Sequence, residues 1–420
     1  MPIGIYISVP FCRSKCSFCN FASGVFSSDL ISRYVKRACE DIHSAPQTAA
    51  TMGAELDRRV DSIYVGGGTP TALEPEHLQV LLTSVRDVFE VVRGAEITVE
   101  CAPGTLTPQM LQTLMGFGVN RVSLGVQSFV DRESAAVGRL HTREIVLDDI
   151  GRLRALGLGN LSIDLIAGLP HQTVESWKYS VDETLAVVPP HVSVYMLEVD
   201  EESRLGKEVI AGGTRYHAHY VPDEDMTADL YDIACHRLGR AGYDQYEISN
   251  FAWKGAESRH NLKYWKRQPY FGFGMDAHSM LPASRNPDDL LRAAQESPQA
   301  DEGSAPPAAI VADVEAVRFA TSHVLDAYLA GEIPALSFVS RQAALEETFF
   351  LGLRLTKGVD LHVVAQTFGE AAIRGLIPVM RDLERDGLTE LAGRVLRLTA
   401  RGRLLSNEVF QRFIAPPAHA

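Results

Sequence analysis

The chain has 420 residues, 46% of them hydrophobic, and a formal net charge of −13. That length carries two or three domains, each able to bury a core. The acidic balance argues against a general nucleic-acid binder, which needs a basic face. No apolar run approaches the roughly eighteen residues of a membrane span. The N-terminus lacks the basic, apolar, small-residue order of a secretory signal. Six cysteines are too few for a disulfide scaffold in such a chain. Three of them crowd into Val9–Phe21, which reads as a metal site in a reducing, cytoplasmic setting.

In chain order, β-branched runs fall at Ile5–Val9, Ser62–Val65, Glu96–Glu100, Arg121–Val126, Leu161–Ile166 and Val192–Leu197. Stretches of helical spacing separate them, clearest at Leu78–Phe89 and Ile145–Leu156. Strand and helix in alternation predict a parallel sheet with crossover helices. The runs are apolar throughout, as in strands covered on both faces. The expected fold is α/β, a partial (β/α)6-type TIM barrel over residues 1–250, with a further strand near Tyr246–Asn250. Residues 251–282 read as a connecting segment. Residues 283–312, rich in Pro, Ser, Asp, Glu and Ala, read as a flexible linker. Residues 313–420 read as a small, mainly helical unit whose helix-then-hairpin passage is winged-helix-like. A packing lid is the favoured role for that unit, ahead of a DNA reader.

Cys12, Cys16 and Cys19 follow the first strand directly, at the C-terminal end where β/α barrels carry function. Two short gaps let a loop wrap three thiolates around one face of an iron–sulfur cube. Three ligands leave one iron open. The alternatives are a zinc site completed by a distant residue, or plain reduced thiols. Gly66, Gly67, Gly68 and Thr69 follow the second strand, where glycines let backbone approach a ligand. Glu100, Gln127 and Asp164 end later strands, and Arg139 lies further on.

The stretches IYISVPFCRSKCSFCNF, YVGGGTPTAL, ITVECAPGTLT, GVNRVSLGVQSF, VGRLHT, SIDLIAGLPHQT, YEISNFA, SRHNLKYW and LGLRLTKGVDL resemble the radical S-adenosylmethionine superfamily. More narrowly they resemble its oxygen-independent coproporphyrinogen III oxidase-like family, a porphyrin-biosynthesis group. They cover nearly the whole chain in order. The resemblance implies a 4Fe–4S cluster on Cys12, Cys16 and Cys19, with S-adenosylmethionine chelating the open iron. It implies a cofactor pocket lined by Tyr6, Phe18, Gly67, Gly68, Thr69, Glu100, Gln127, Arg139 and Asp164. An electron donor such as flavodoxin or ferredoxin follows from that chemistry.

Within the family, the coproporphyrinogen dehydrogenases carry a fourth cysteine two residues past the third. Phe21 stands there in this chain. That departure, and HNLKYW at His260–Trp265, resemble the radical S-adenosylmethionine haem chaperones. The resemblance then implies haem as cargo, contacts from His260, Tyr264 and Trp265, and recipient haem proteins of respiration. A peripheral membrane contact is compatible with that role. From the residues alone, buried hydrogen bonds for His260 and Asn261 and interface packing for Trp265 are the favoured reading. The alternative function is a radical enzyme acting on a tetrapyrrole or other small molecule, by oxidative decarboxylation, methyl transfer or cyclopropanation. Asp276 stands where relatives tend to show Gly, placed to reshape the pocket near His278. Cys101 reads as a small buried strand-end thiol.

Overall fold

The computed structural model describes residues 1–296 and 313–414. Six parallel strands come first: β1 (Ile3–Val9), β2 (Arg59–Gly67), β3 (Glu90–Cys101), β4 (Arg121–Gln127), β5 (Leu161–Ala167) and β6 (His191–Met196). Each pairs in parallel with the next. Helices fill the crossovers, among them Ser28–His43, Pro75–Val88, Pro108–Gly116, Arg143–Ala155 and Val174–Ala186. Their starts are set locally. Thr107 caps Pro108–Gly116 through the Met110 amide, and Thr173 with Ser176 forms a capping box.

Beyond β6 lie β7 (Asp244–Gln245) and β8 (Asn250–Ala252), with β8 antiparallel to β6. The strand expected at Tyr246–Asn250 is thus two short pieces flanking an irregular turn. On the far side, β9 (Tyr270–Phe273) pairs in parallel with β1. The antiparallel strands β10 (His278–Pro282), β11 (Val314–Ala320) and β12 (Ala335–Ser340) extend that side. The twelve strands form one open sheet, ordered β12-β11-β10-β9-β1-β2-β3-β4-β5-β6-β8-β7. This is the partial barrel expected. β1 burial reads nearly complete along its length, as both-face covering demands.

Two differences from the sequence reading concern boundaries. The segments read as a connector and as the start of the C-terminal unit supply β9 to β12, so they belong to the large sheet. Pro287–Glu296, inside the expected flexible linker, is a helix that buries Leu290, Ala293 and Ala294. Leu290 and Ala293 press on Gly53, whose φ of +68° needs glycine. The rest of that linker, residues 297–312, lies outside the described residues.

The C-terminal unit runs helix Arg341–Gly352, β13 (Val359–Asp360), helices Leu361–Phe368 and Glu370–Arg385, then the hairpin β14 (Thr389–Ala392) and β15 (Val395–Leu398). That is the winged-helix order. Its own core holds Phe349, Leu353, Leu383, Leu396, Val409 and Phe413, and reaches Ile248 of the barrel. Among the described residues, no helix is long and apolar enough to cross a membrane.

Candidate functional site

β1 ends at Val9 and releases the cysteine loop at the C-terminal mouth of the sheet. The turn after β2 clamps that loop. Gly68 N–H donates to Val9 O (2.8 Å) and Thr69 N–H to Phe11 O (2.7 Å). A Cβ on Gly68 would sit 2.8 Å from both of those carbonyl oxygens, so only glycine fits. Gly67, at φ +104°, donates its N–H to Glu100 Oε2 (3.1 Å). The amides of Gly67, Gly68 and Thr69 are therefore engaged by the protein itself.

The three thiols and the strand ends enclose one cavity of about 390 Å³. Cys12, Cys16, Phe18, Cys19, Gly67, Gly68, Thr69, Glu100, Gln127, Arg139 and Asp164 all line it. Polar groups lie beside each thiol: Thr69 Oγ1 at 3.7 Å from Cys12 Sγ, Arg139 Nη1 at 3.7 Å from Cys16 Sγ, Ser23 Oγ at 3.7 Å from Cys19 Sγ. Burial pushes the Cys12 thiol up, against hydrogen bonds from Thr69 and Ser23. Among the described residues, no three His, Cys, Asp or Glu side chains are grouped to hold a single ion.

The carboxylates differ. Asp164 accepts from Ser123 Oγ (2.9 Å) and Ser162 Oγ (3.0 Å). Glu100 accepts from Tyr64 OH (2.8 Å) and Gly67 N–H. Burial raises the Glu100 carboxyl to about 7, and the Asp164 charge adds to that rise. Arg139 donates through Nη2 to Gly125 O. Gln127 holds φ +67°, a strained value for a residue with a side chain. Gln127 Oε1 and Arg139 Nε are buried without a protein partner. One free acceptor and one free donor, beside three thiols, fit an amino-acid-ended ligand seated on a cysteine-held cluster. Tyr64, Ser123 and Tyr195 also line the cavity. The sequence reading missed them, although Tyr64 immediately precedes the glycine turn. Cys101 is 3% exposed at the cavity wall, and burial pushes its thiol up.

Tyr6 is placed apart from the other expected cofactor residues. It lines a second cavity of about 340 Å³ with Tyr264, Tyr270, Asp276 and His278, not the cavity of the thiols. Phe21, Ser23, Gly67 and Gly68 border both. The two chambers thus adjoin across the glycine turn.

The haem candidates also separate. His260 lies in helix Arg259–Trp265, 1% exposed. Nδ1 shares a hydrogen bond with Ser62 Oγ (3.0 Å), and Nε2 with Tyr264 OH (3.0 Å). Burial, then Lys263 and Arg121, lowers its pKa to about 3. Both ring nitrogens are occupied, so His260 offers iron no lone pair in this arrangement. Trp265 lies under the Arg354 guanidinium, 4.4 Å from ring centroid to carbon, at the seam with the C-terminal unit. Of the three, Tyr264 lines the cavity shared with Tyr6 and His278.

Fold and cavity together define a radical S-adenosylmethionine protein. The family model described as Radical SAM superfamily matches residues 6–183, and that described as HemN C-terminal domain matches residues 339–405. The chain is 32% identical to the heme chaperone HemW of Bacillus subtilis over 413 residues, 97% of this chain and 98% of that one. It is 33% identical to the heme chaperone HemW of Escherichia coli over 281 residues, 67% and 70% of the two chains. The solved coproporphyrinogen III oxidase HemN of Escherichia coli shares the fold, with a TM-score of 0.77 at 22% identity over 98% of this chain and 90% of that one. The chain belongs to the radical S-adenosylmethionine superfamily and, within it, to the HemN-like, HemW-type family.

Proposed function

We propose that this chain is a haem chaperone. It holds a 4Fe–4S cluster on Cys12, Cys16 and Cys19, binds S-adenosylmethionine beside it, and carries haem to respiratory haem proteins. The observation that carries this reading is the 32% identity, over 97% of the chain, to a relative named heme chaperone. Phe21 in place of a fourth cysteine supports it against the decarboxylating oxidase.

The cluster with S-adenosylmethionine would supply one-electron chemistry at the open iron. The chain's own residues do the rest. Arg139 meets the ligand carboxylate as a charged donor. Gln127 Oε1 takes an amine or amide hydrogen. Glu100 and Asp164 accept from ribose hydroxyls, and Phe18 walls off water. The amides of Gly68 and Thr69 hold the cysteine loop at its strand end and that of Gly67 holds Glu100, rather than gripping the ligand. The proposal includes a cytoplasmic setting, and six free cysteines suit a reducing one. It also includes an electron donor of the flavodoxin or ferredoxin kind.

Anaerobic reconstitution should load about four irons per chain and give a brown chromophore. Added haem should produce a shifted Soret band, and a recipient apoprotein should strip the haem away. Colourless, zinc-loaded protein sinks the reading. So does conversion of coproporphyrinogen III by the purified chain, which would establish a radical enzyme instead.

A further inference from the structure

The HNLKYW histidine is sealed inside the barrel, so the iron of a bound haem needs another ligand. His278 stands free to serve. It opens β10, and its side chain is exposed. It makes no hydrogen bond, ion pair or ring contact with any described residue. Its backbone, by contrast, is fixed on two sides. His278 pairs with Ala320 of β11, and its carbonyl would lie 2.3 Å from a Cβ on Gly272 of β9. The backbone is fixed in place while the imidazole is left unengaged, so its ring is available to a ligand in the adjoining cavity.

The surroundings suit a flat aromatic cargo. His278 lines the 340 Å³ cavity with Tyr6, Tyr264 and Tyr270, which give it an aromatic wall. Phe21, 62% exposed, forms an apolar rim. Asp276, on the same wall, holds φ +57°, a cost that a residue with a side chain bears where the conformation serves a site.

We propose that His278 is the axial ligand of the cargo haem, which seats edge-first in the Tyr6–Tyr264–Tyr270 cavity. The proposal rests on the haem-chaperone reading. It places haem one glycine turn away from the cluster chamber, because Gly67 and Gly68 border both cavities. Haem and S-adenosylmethionine would then occupy neighbouring rooms rather than compete for one.

The test uses the full chain, anaerobically reconstituted, titrated in parallel with haemin and with iron-free protoporphyrin IX. His278→Ala should weaken haemin binding about tenfold or more and remove the shifted Soret band. It should leave protoporphyrin binding unchanged, because that ring lacks the iron. His278→Met should restore binding with a different band, as a thioether replaces the imidazole. An unchanged haemin band in His278→Ala overturns the proposal while leaving the chaperone reading intact. Equal loss of haemin and protoporphyrin also overturns it, since the cavity rather than the iron bond would then be at fault. Failure of the wild-type chain to bind either ring overturns the chaperone reading itself.

Discussion

Glu100 connects acidity to stability. Its carboxyl titrates at about 7 in the fold against an ordinary 4.5, because it is buried and lies near Asp164. The folded chain therefore keeps a proton that the unfolded chain releases between those values. The stabilisation is full below pH 4.5 and disappears as pH rises through about 7. Denaturation of wild type and Glu100→Gln from pH 4 to 8 should show the variant gaining stability relative to wild type as pH rises. A constant difference across that range would refute the assignment. At this scale the sequence was informative where chemistry is local. The cysteine spacing and the polar residues at strand ends mark the cavity because β/α connectivity sends every strand end to one mouth. For His260 the residues alone point to buried hydrogen bonds, as found, while the haem contact comes only from resemblance. Tyr264, four residues on in a helix, is within local reach, but Ser62 is brought to the other nitrogen by packing that no spacing in HNLKYW reveals.

Among elements, the glycine turn and the cysteine loop act as one unit. Gly68→Ala drives a Cβ into the Val9 and Phe11 carbonyls. Neither is the far end of a flexible side chain, so the loop itself must move, at roughly 1–3 kcal/mol. Iron content after reconstitution should fall well below that of wild type, while the circular dichroism of the barrel is retained. Helix Arg259–Trp265 is held just as tightly beneath the sheet. Lys263 Nζ pairs with Asp61 (2.8 Å) and donates to Pro2 O (3.0 Å), and Gly4 has no side chain because His260 and Lys263 lie against it. The six parallel strands were legible from their apolar runs. Helix Pro287–Glu296 was not, because its Pro, Asp and Ala content matches that of a loop. Its apolar face becomes visible only once Gly53 is known to receive it.

The whole molecule is joined at a charged seam. Glu347, from the C-terminal unit, meets Arg267 at 2.7 Å and Arg318 at 2.7 Å, and its side chain is 6% exposed. Removing the carboxylate leaves two cations facing each other near the junction. Glu347→Ala should cost about 3 kcal/mol, seen in chemical denaturation as an earlier first transition. An unshifted curve would show that the two units do not depend on this seam. One consequence of the strand order concerns biogenesis. β1 is synthesised first, yet it lies inside the sheet between β2 and β9, and Gly4–Ile7 must wait for Tyr270–Phe273. Such a distant pairing closes late and slowly. The nascent chain thus carries its three cysteines on an unfinished strand through most of translation. In ribosome-halted chains ending before Tyr270, Cys12, Cys16 and Cys19 should alkylate faster than in the finished protein. That interval is when an iron–sulfur assembly partner would find the loop most open.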